Sequence, residues 1–575
     1  MISSFKTLQK NLKKDTTLMP TIKVALAGDT ATQFLATALK GMGIEKGCII
    51  DLFEAEYNQV ERQLLDSTSE LYAFAADYIV VFQSSHKLLS LFNKMPTGQQ
   101  QGLADERLAF IKNICSAVQS RLICCNYPEI DDAVFGSYSN KVESSFIYQI
   151  RKLNLSLMEL SMKIPNLFIC DIAALQNKLG RDVMFHPAVY IGSEMVLSLD
   201  AVPYVASRIM DIVCAIQGKF KKCLILDLDN TLWGGVIGDD GYEKIELGHE
   251  LGIGKAFTEF QQWALKLKNR GIILAICSKN NQDTAKEPFE KHPEMVLRLN
   301  DIAVFMANWD NKADNIRRIQ SILNIGFDSM VFLDDNPFER NMVRENIPEI
   351  TVPELPEDPA DYLEYLYGLN LFETASFSST DADRTKQYQI ESLRVTTQMN
   401  FTNEDDFLKS LQMKSEVNPF NSFNTPRVSQ LSQRSNQFNL RTVRYTEADI
   451  ERMAKDTHFQ SFSFTLSDKF GDNGLICAVV LEKKGTETVF IDTWFMSCRV
   501  LKRGMEHFTL NTIVDYAKQH GFRFVIGEYI PTSKNSMVED HYLKLGFIPV
   551  DDPSRHLFRL EVDRYETKVC HITAL

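Results

Sequence analysis

Asp227 and Asp229 close the apolar run CLILDLD, and Asn230 and Thr231 follow at once. A second apolar run, GIILAIC, ends in Ser278. A third, SMVFLDDNP, carries Asp334 and Asp335, and Lys312 lies between these two in NWDNKADNIR. Side chains two apart in a strand face the same side, so Asp227 and Asp229 are expected to approach one reaction centre. Several carboxylates packed together repel one another unless a cation neutralises them. An all-oxygen donor set suits Mg²⁺, which binds through one or two carboxylates plus phosphate and water. Such a site does phosphoryl chemistry: one aspartate attacks phosphorus, the second serves as general acid and base, and Ser278 and Lys312 hold the phosphoryl oxygens. Taken singly, each group has an ordinary reading. A D-x-D is commonly a solvated turn, Asp334–Asp335 can cap a helix that starts after Pro337, Ser278 can be a turn residue and Lys312 a surface charge. Their order, each at a strand end or a nearby turn, favours the catalytic reading.

These groups need a parallel α/β sheet to bring them together, because ligands there bind beyond the carboxyl ends of the strands. The chain of 575 residues alternates strand-like and helical stretches twice. Residues 1–20 are expected to form a helical lead-in, and 21–215 a first parallel-sheet α/β domain containing IKVALAGDT, DYIVVFQ, RLICCNYP and LFICDI. Residues 216–370 are expected to form a second α/β domain. Its strands are KKCLILDLD, GIILAICSKN and SMVFLDDNP, and its helices place Phe257, Phe260, Ala264 and Leu267, and Ile316, Ile319 and Leu323, on single faces. Residues 371–445 read as a partly helical connector, and 446–575 as an α+β domain with antiparallel GLICAVVLEK and TVFIDTWFMS, then a helix and a further strand.

DLDNT, a strand-ending Ser278, Lys312 and LDDNP resemble the four motifs of the haloacid dehalogenase (HAD) superfamily, in order. The resemblance implies that Asp227 is the nucleophile and Asp229 the acid/base. Asp227, Asp229 and Asp334 would be the Mg²⁺ ligands, with Asp335 in support, and Thr231, Ser278, Asn280 and Lys312 would be phosphate-binding. LDLDNTLWGGVIGDDG, ICSKNN, NWDNKADNIRR, QLSQRSNQFNLRT, FGDNGLI and FMSCRV resemble the FkbH-like family of HAD proteins over roughly residues 22–575. That resemblance implies removal of phosphate from 1,3-bisphosphoglycerate and loading of the glyceryl group onto an acyl carrier protein thiol. Trp233 either walls the pocket or belongs to the core, and the Gly234–Gly235 pair lets the backbone turn sharply. Thioester formation would need a thiol. Cys498 beside Arg499 is the candidate nucleophile, because a neighbouring cation depresses a thiol pKa, with a structural role as the alternative. Cys223 and Cys277 read as small core residues.

The first domain's Gly28-Asp29-Thr30 resembles the opening block of SGNH-type esterases, with Thr30 where they have Ser. Asp182 and His186 lack the spacing of their closing block, so a binding or scaffold role is expected, with Gln83 and Asn126 as polar pocket residues. The last domain resembles the acetyltransferase-like (GNAT) fold. Arg499, Arg503, Gly504, Asn535 and Tyr542 are its candidate contacts for CoA or a carrier protein's phosphopantetheine arm, although Lys502 stands where a glycine is expected and a degenerate fold reads equally well. The expected cofactors are thus Mg²⁺ and CoA or phosphopantetheine, and the expected partners a small phosphorylated substrate and an acyl carrier protein. A GNAT-type acetyltransferase with a regulatory HAD domain, and a non-enzymatic biosynthetic scaffold, remain alternatives. Net charge is −13, which argues against nucleic acid. The sequence has no apolar run of membrane-spanning length and no secretory signal pattern. Eleven scattered cysteines without a C-x-x-C pair fit reduced thiols and a cytoplasmic location.

Overall fold

A computed structural model describes residues 2–575 apart from 58, 378–383, 399–400, 498–499, 533 and 553. The chain divides into two compact units, Met1–Ile216 and Gln217–Leu575. The first opens on a helix, Phe5–Asn11, capped by the Ser4 side chain, which accepts from Thr7 N–H. Strands β1 (Thr21–Gly28), β2 (Ile49–Glu54), β3 (Tyr78–Phe82), β4 (Arg121–Cys125) and β5 (Leu167–Cys170) form a parallel sheet in the order β2-β1-β3-β4-β5. All five residues of β3 are buried, as expected of a parallel strand with both faces covered.

The second unit holds two sheets. In the first, β6 (Cys223–Leu226), β7 (Ile273–Ser278), β8 (Ile302–Ala307) and β9 (Met330–Leu333) run parallel in the order β8-β7-β6-β9. Helices Ile253–Asn269, Gln282–Lys291, Lys312–Leu323 and Pro337–Asn346 connect and follow them. β8 was not among the expected strands: its run IAVFMA is apolar without alternation, and such a run does not declare its class by periodicity. All of β6, β7 and β9 is buried.

The other sheet joins β10 (Met413–Ser415), β11 (Val417–Asn418), β12 (Phe459–Asp468), β13 (Gly471–Lys484), β14 (Thr488–Met496), β15 (Phe524–Tyr529), β16 (Ile548–Val550), β17 (His556–Glu561) and β18 (Ile572–Ala574). The segment 371–445 is therefore more than a connector. Besides helices Arg384–Gln398 and Thr425–Arg434, it supplies β10 and β11, which pair with β12. Strands of two or three residues are too short to show a period in sequence. β13 and β14 pair antiparallel, as their alternation implied. β14 and β15 pair parallel only from Thr488↔Phe524 to Phe490↔Ile526 and then separate. The chain's own segment Phe438–Leu440 spans the gap: Leu440 N donates to Trp494 O and Ile530 N to Leu440 O.

Candidate active site

β6 stops at Leu226, so Asp227 and Asp229 lie in the loop beyond it rather than within a strand. The alternation argument for their facing one way therefore does not apply. Asn230 takes a left-handed conformation at φ 52° and Gly235 follows at φ 92°; such backbone is cheap for Asn and Gly. The loop is fastened by Tyr362 Oη donating to the Asn230 carbonyl at 3.2 Å. Ser278 ends β7. Lys312 opens its helix, with Asn311 capping the first turn by accepting from Ala313 N. Asp334 and Asp335 follow β9 and precede a helix capped by Asn336, with Pro337 at its first position.

The loops converge. Lys312 Nζ lies 2.9 Å from Asp227 Oδ2 and 2.6 Å from Asp334 Oδ2, and all three side chains are buried. Asp227, Asp334 and Asp335 each offer a carboxylate oxygen within 4.8 Å of the others. Asp335 N–H donates to Thr231 Oγ1 at 3.1 Å, and Asn336 N–H to Asp334 Oδ1 at 2.9 Å. Arg340 fixes the turn from behind, donating to the carbonyls of Asp334 and Asp335 at 2.8 and 2.6 Å. Burial raises the Asp334 carboxyl to about 7, with the Asp227 charge adding to the rise and Lys312 opposing it. Burial and Asp227 raise Asp335 as well. The two aspartates outweigh burial at Lys312 and keep its ammonium charged.

Asp229 stands apart from the three-carboxylate group. Its Oδ1 accepts from Trp233 Nε1 and Ile237 N, both at 3.0 Å, and its Oδ2 from Asn280 Nδ2 at 2.9 Å. Asn280 also reaches Ser278 Oγ at 3.3 Å. The carboxylate cluster thus brings Asp335, expected in a supporting role, together with Asp227 and Asp334, while the Asp229 side chain, expected among the ligands, is engaged elsewhere. Trp233 is fully buried and belongs to the core, yet its ring N–H orients the second aspartate. Lys279 pairs with the buried Glu339 at 2.6 Å. The sequence reading missed Trp233's donor role, Arg340 and the Lys279–Glu339 pair. The conjunction of a Trp four residues after an Asp was the only signal for the first.

The residues fit a divalent cation. Asp227 Oδ1 is buried and has no hydrogen-bond partner, an orphan that costs free energy unless a cation or donor meets it. Three clustered carboxylates share one lysine, and burial raises two of them; a cation would relieve that crowding, and hard oxygen donors suit Mg²⁺.

A family model for the FkbH N-terminal domain matches residues 23–214. The crystal structure of the N-terminal part of a Bacteroides fragilis protein, containing a phosphatase domain complexed with Mg, is 64% identical. It covers 65% of this chain and 100% of its own, at a TM-score of 0.64. The chain belongs to the FkbH-like family. Its second unit accordingly carries the phosphatase-like domain of that family, with Asp227 and Asp334 at the strand ends. No curated protein matches the sequence. The C-terminal part overlays the ribosomal-protein-S18-alanine N-acetyltransferase of Escherichia coli at 11% identity, over 27% of this chain and 98% of that one, with a TM-score of 0.21. A GNAT family acetyltransferase of Elizabethkingia anophelis with acetyl-CoA bound gives 16%, 26%, 98% and 0.20.

In the C-terminal part of this FkbH-like chain, the expected CoA contacts among the described residues do not converge. Arg503 is buried in ion pairs with Glu391 and Asp468. Asn535 is fully buried: Oδ1 accepts from Thr532 N at 2.7 Å, and Nδ2 donates to the carbonyls of Asn439 and Ile530 at 3.0 Å. Tyr542 is fully buried in the core. Gly504, at φ 77°, does border a cavity of about 550 Å³ with Lys502, His507, His541 and Cys570. Cys498 and Arg499 lie outside the described residues. Cys223 and Cys277 are buried, and burial pushes both thiols far up, so both are core residues.

In the first unit, Asp29 Oδ1 and Oδ2 accept from Ser84 N at 2.9 and 3.1 Å. Thr30 Oγ1 is buried without a partner. Asn126 donates to Asp171 at 2.7 Å and Gln83 accepts from Tyr127 at 3.0 Å. Asp182 lies in the helix Arg181–Met184, and His186 directly precedes the next, Pro187–Ser193, without a side-chain capping bond. Among the described residues, no helix is long and apolar enough to cross a membrane.

Proposed function

We propose that this protein is a Mg²⁺-dependent phosphohydrolase whose nucleophile is Asp227, acting on a small phosphorylated substrate. One observation carries the reading: Asp227 is buried beside Asp334 and Asp335, paired through Oδ2 to Lys312, with Oδ1 left unpartnered. Asp227, Asp334 and Asp335 would hold the ion, which supplies charge neutralisation for the carboxylates and the phosphoryl group. The Asp227 carboxylate attacks phosphorus as the bond to the leaving oxygen breaks. Asp229, pinned by Trp233, Ile237 N–H and Asn280, delivers the proton to that oxygen. It then takes a proton from the water that hydrolyses the aspartyl phosphate. Lys312 and Ser278 face the phosphoryl oxygens and stabilise their charge.

The finer reading is glyceryl loading from 1,3-bisphosphoglycerate onto a carrier protein, which needs two bond changes. A thiol takes the acyl carbon and releases inorganic phosphate, and the phosphoester at the other end is hydrolysed at Asp227. In this reading a phosphopantetheine arm would enter the cavity of about 550 Å³ beside Lys502–Gly504. Nothing in the arrangement of Arg503, Asn535 and Tyr542 favours the acetyltransferase alternative. In the test, the whole chain is incubated with Mg²⁺, 1,3-bisphosphoglycerate and candidate carrier proteins, and inorganic phosphate and intact mass are followed. Asp227→Asn should abolish phosphoester hydrolysis while the chain stays folded; full activity in that variant sinks the proposal. Hydrolysis without any carrier adduct restricts the enzyme to phosphatase action.

A further inference from the structure

Within the second unit lies a cavity of about 560 Å³, at the end of the parallel sheet opposite the carboxylates. Lys222 precedes β6, and Ile325–Ser329 lead into β9, whereas Asp227 and Asp334 follow those strands. The far wall is Arg434–Phe438, from the QLSQRSNQFNLRT stretch that phosphoryl chemistry leaves unexplained. Lys222, Arg384, Arg427, Arg434 and Lys534 line the cavity against two acids, Asp328 and Glu349.

We propose that this cavity binds a phosphate-bearing small molecule, its phosphate among these cations and its neutral part against Leu431, Phe438 and Met496. The volume is that of a small-molecule site. Arginine's planar fork is suited to oxyanions, and an excess of three positive charges matches a multiply charged phosphate better than a single carboxylate. Lys534 pairs with Asp328; burial raises that carboxyl, yet Lys534, Lys222 and Lys221 together hold it below its ordinary value. Ser435 is 6% exposed, and its Oγ and the Oε1 of Gln437 have no hydrogen-bond partner among the described residues. Ser435 Oγ can donate to a phosphate oxygen, and Gln437 Oε1 can accept from a hydroxyl on the ligand's neutral part.

The proposal stands independently of catalysis at Asp227. The whole chain is titrated calorimetrically with inorganic pyrophosphate in EDTA at constant ionic strength, where the metal-free carboxylate cluster repels the anion. Binding is expected and should persist in Ser278→Ala. It should weaken at least about tenfold, roughly 1.4 kcal/mol, in Arg427→Gln and in Lys534→Gln. Absence of binding, loss in Ser278→Ala, or indifference to both cavity variants overturns it. If Arg427→Gln lowers the melting temperature of the free chain, Lys534→Gln decides, because that side chain is 32% exposed. Acetate binding as tightly as pyrophosphate would overturn the phosphate assignment.

Discussion

Asp229 shows what one residue's neighbours decide. Three donors hold its two oxygens, so its orientation is set before substrate arrives. Replacing Trp233 with Phe removes one of these donors and keeps an aromatic ring against Phe289. We expect kcat for phosphate release to fall roughly tenfold, as for other groups that orient a reacting residue, with the Mg²⁺ concentration dependence unchanged. Steady-state kinetics across a Mg²⁺ series checks this. An unchanged kcat would leave Trp233 with packing alone. Asp227, Ser278, Lys312 and Asp334 were legible because each terminates an apolar run or opens a helix, which is a local pattern. The direction of a tryptophan N–H is set by how a loop folds back, and the engagement of the Asp229 side chain by Trp233, Ile237 and Asn280 depends on that same loop, beyond the end of β6 at Leu226. Neither leaves a mark in periodicity.

At the scale of elements, the parallel sheet of the second unit could be read from three of its strands, whereas β8 was hidden by its unpatterned run and β10 and β11 by their brevity. The gap between β14 and β15 shows the same limit. Its filling by Phe438–Leu440 joins segments far apart in sequence, held by Asn535, whose Nδ2 donates to Asn439 O and Ile530 O. Asn535 therefore acts as a clasp. Asn535→Ala leaves those carbonyls without that donor and should destabilise the chain by about 2 kcal/mol, visible as a lowered denaturant midpoint with unchanged slope. Wild-type stability together with impaired binding of a carrier-protein arm would instead make it a ligand contact.

For the whole chain, a net charge of −13 repels phosphate in general, so anion recognition must be built locally. The carboxylate cluster does this only with a cation, while the cavity beneath the sheet does it with its own lysines and arginines. The two also differ in which part of the chain they need. The proposed catalytic groups lie between Asp227 and Asp335, whereas Arg384, Arg427, Arg434 and Lys534 come later. A fragment comprising residues 1–377 should keep Mg²⁺-dependent phosphate release, much as the N-terminal part of the Bacteroides protein holds Mg by itself. It should lose metal-free pyrophosphate binding. Its melting temperature should also fall, because the helix Arg384–Gln398 buries Tyr388 against the sheet's core and sends Gln389 Nε2 to the Ile302 carbonyl at 2.9 Å. Removing that helix uncovers apolar surface and unpairs an acceptor at β8. Calorimetric melting, phosphate release and pyrophosphate titration of the fragment beside the whole chain measure all three. A folded fragment without phosphate release would place an essential catalytic group beyond residue 377. A fragment that still bound metal-free pyrophosphate would remove the cavity as the anion's site.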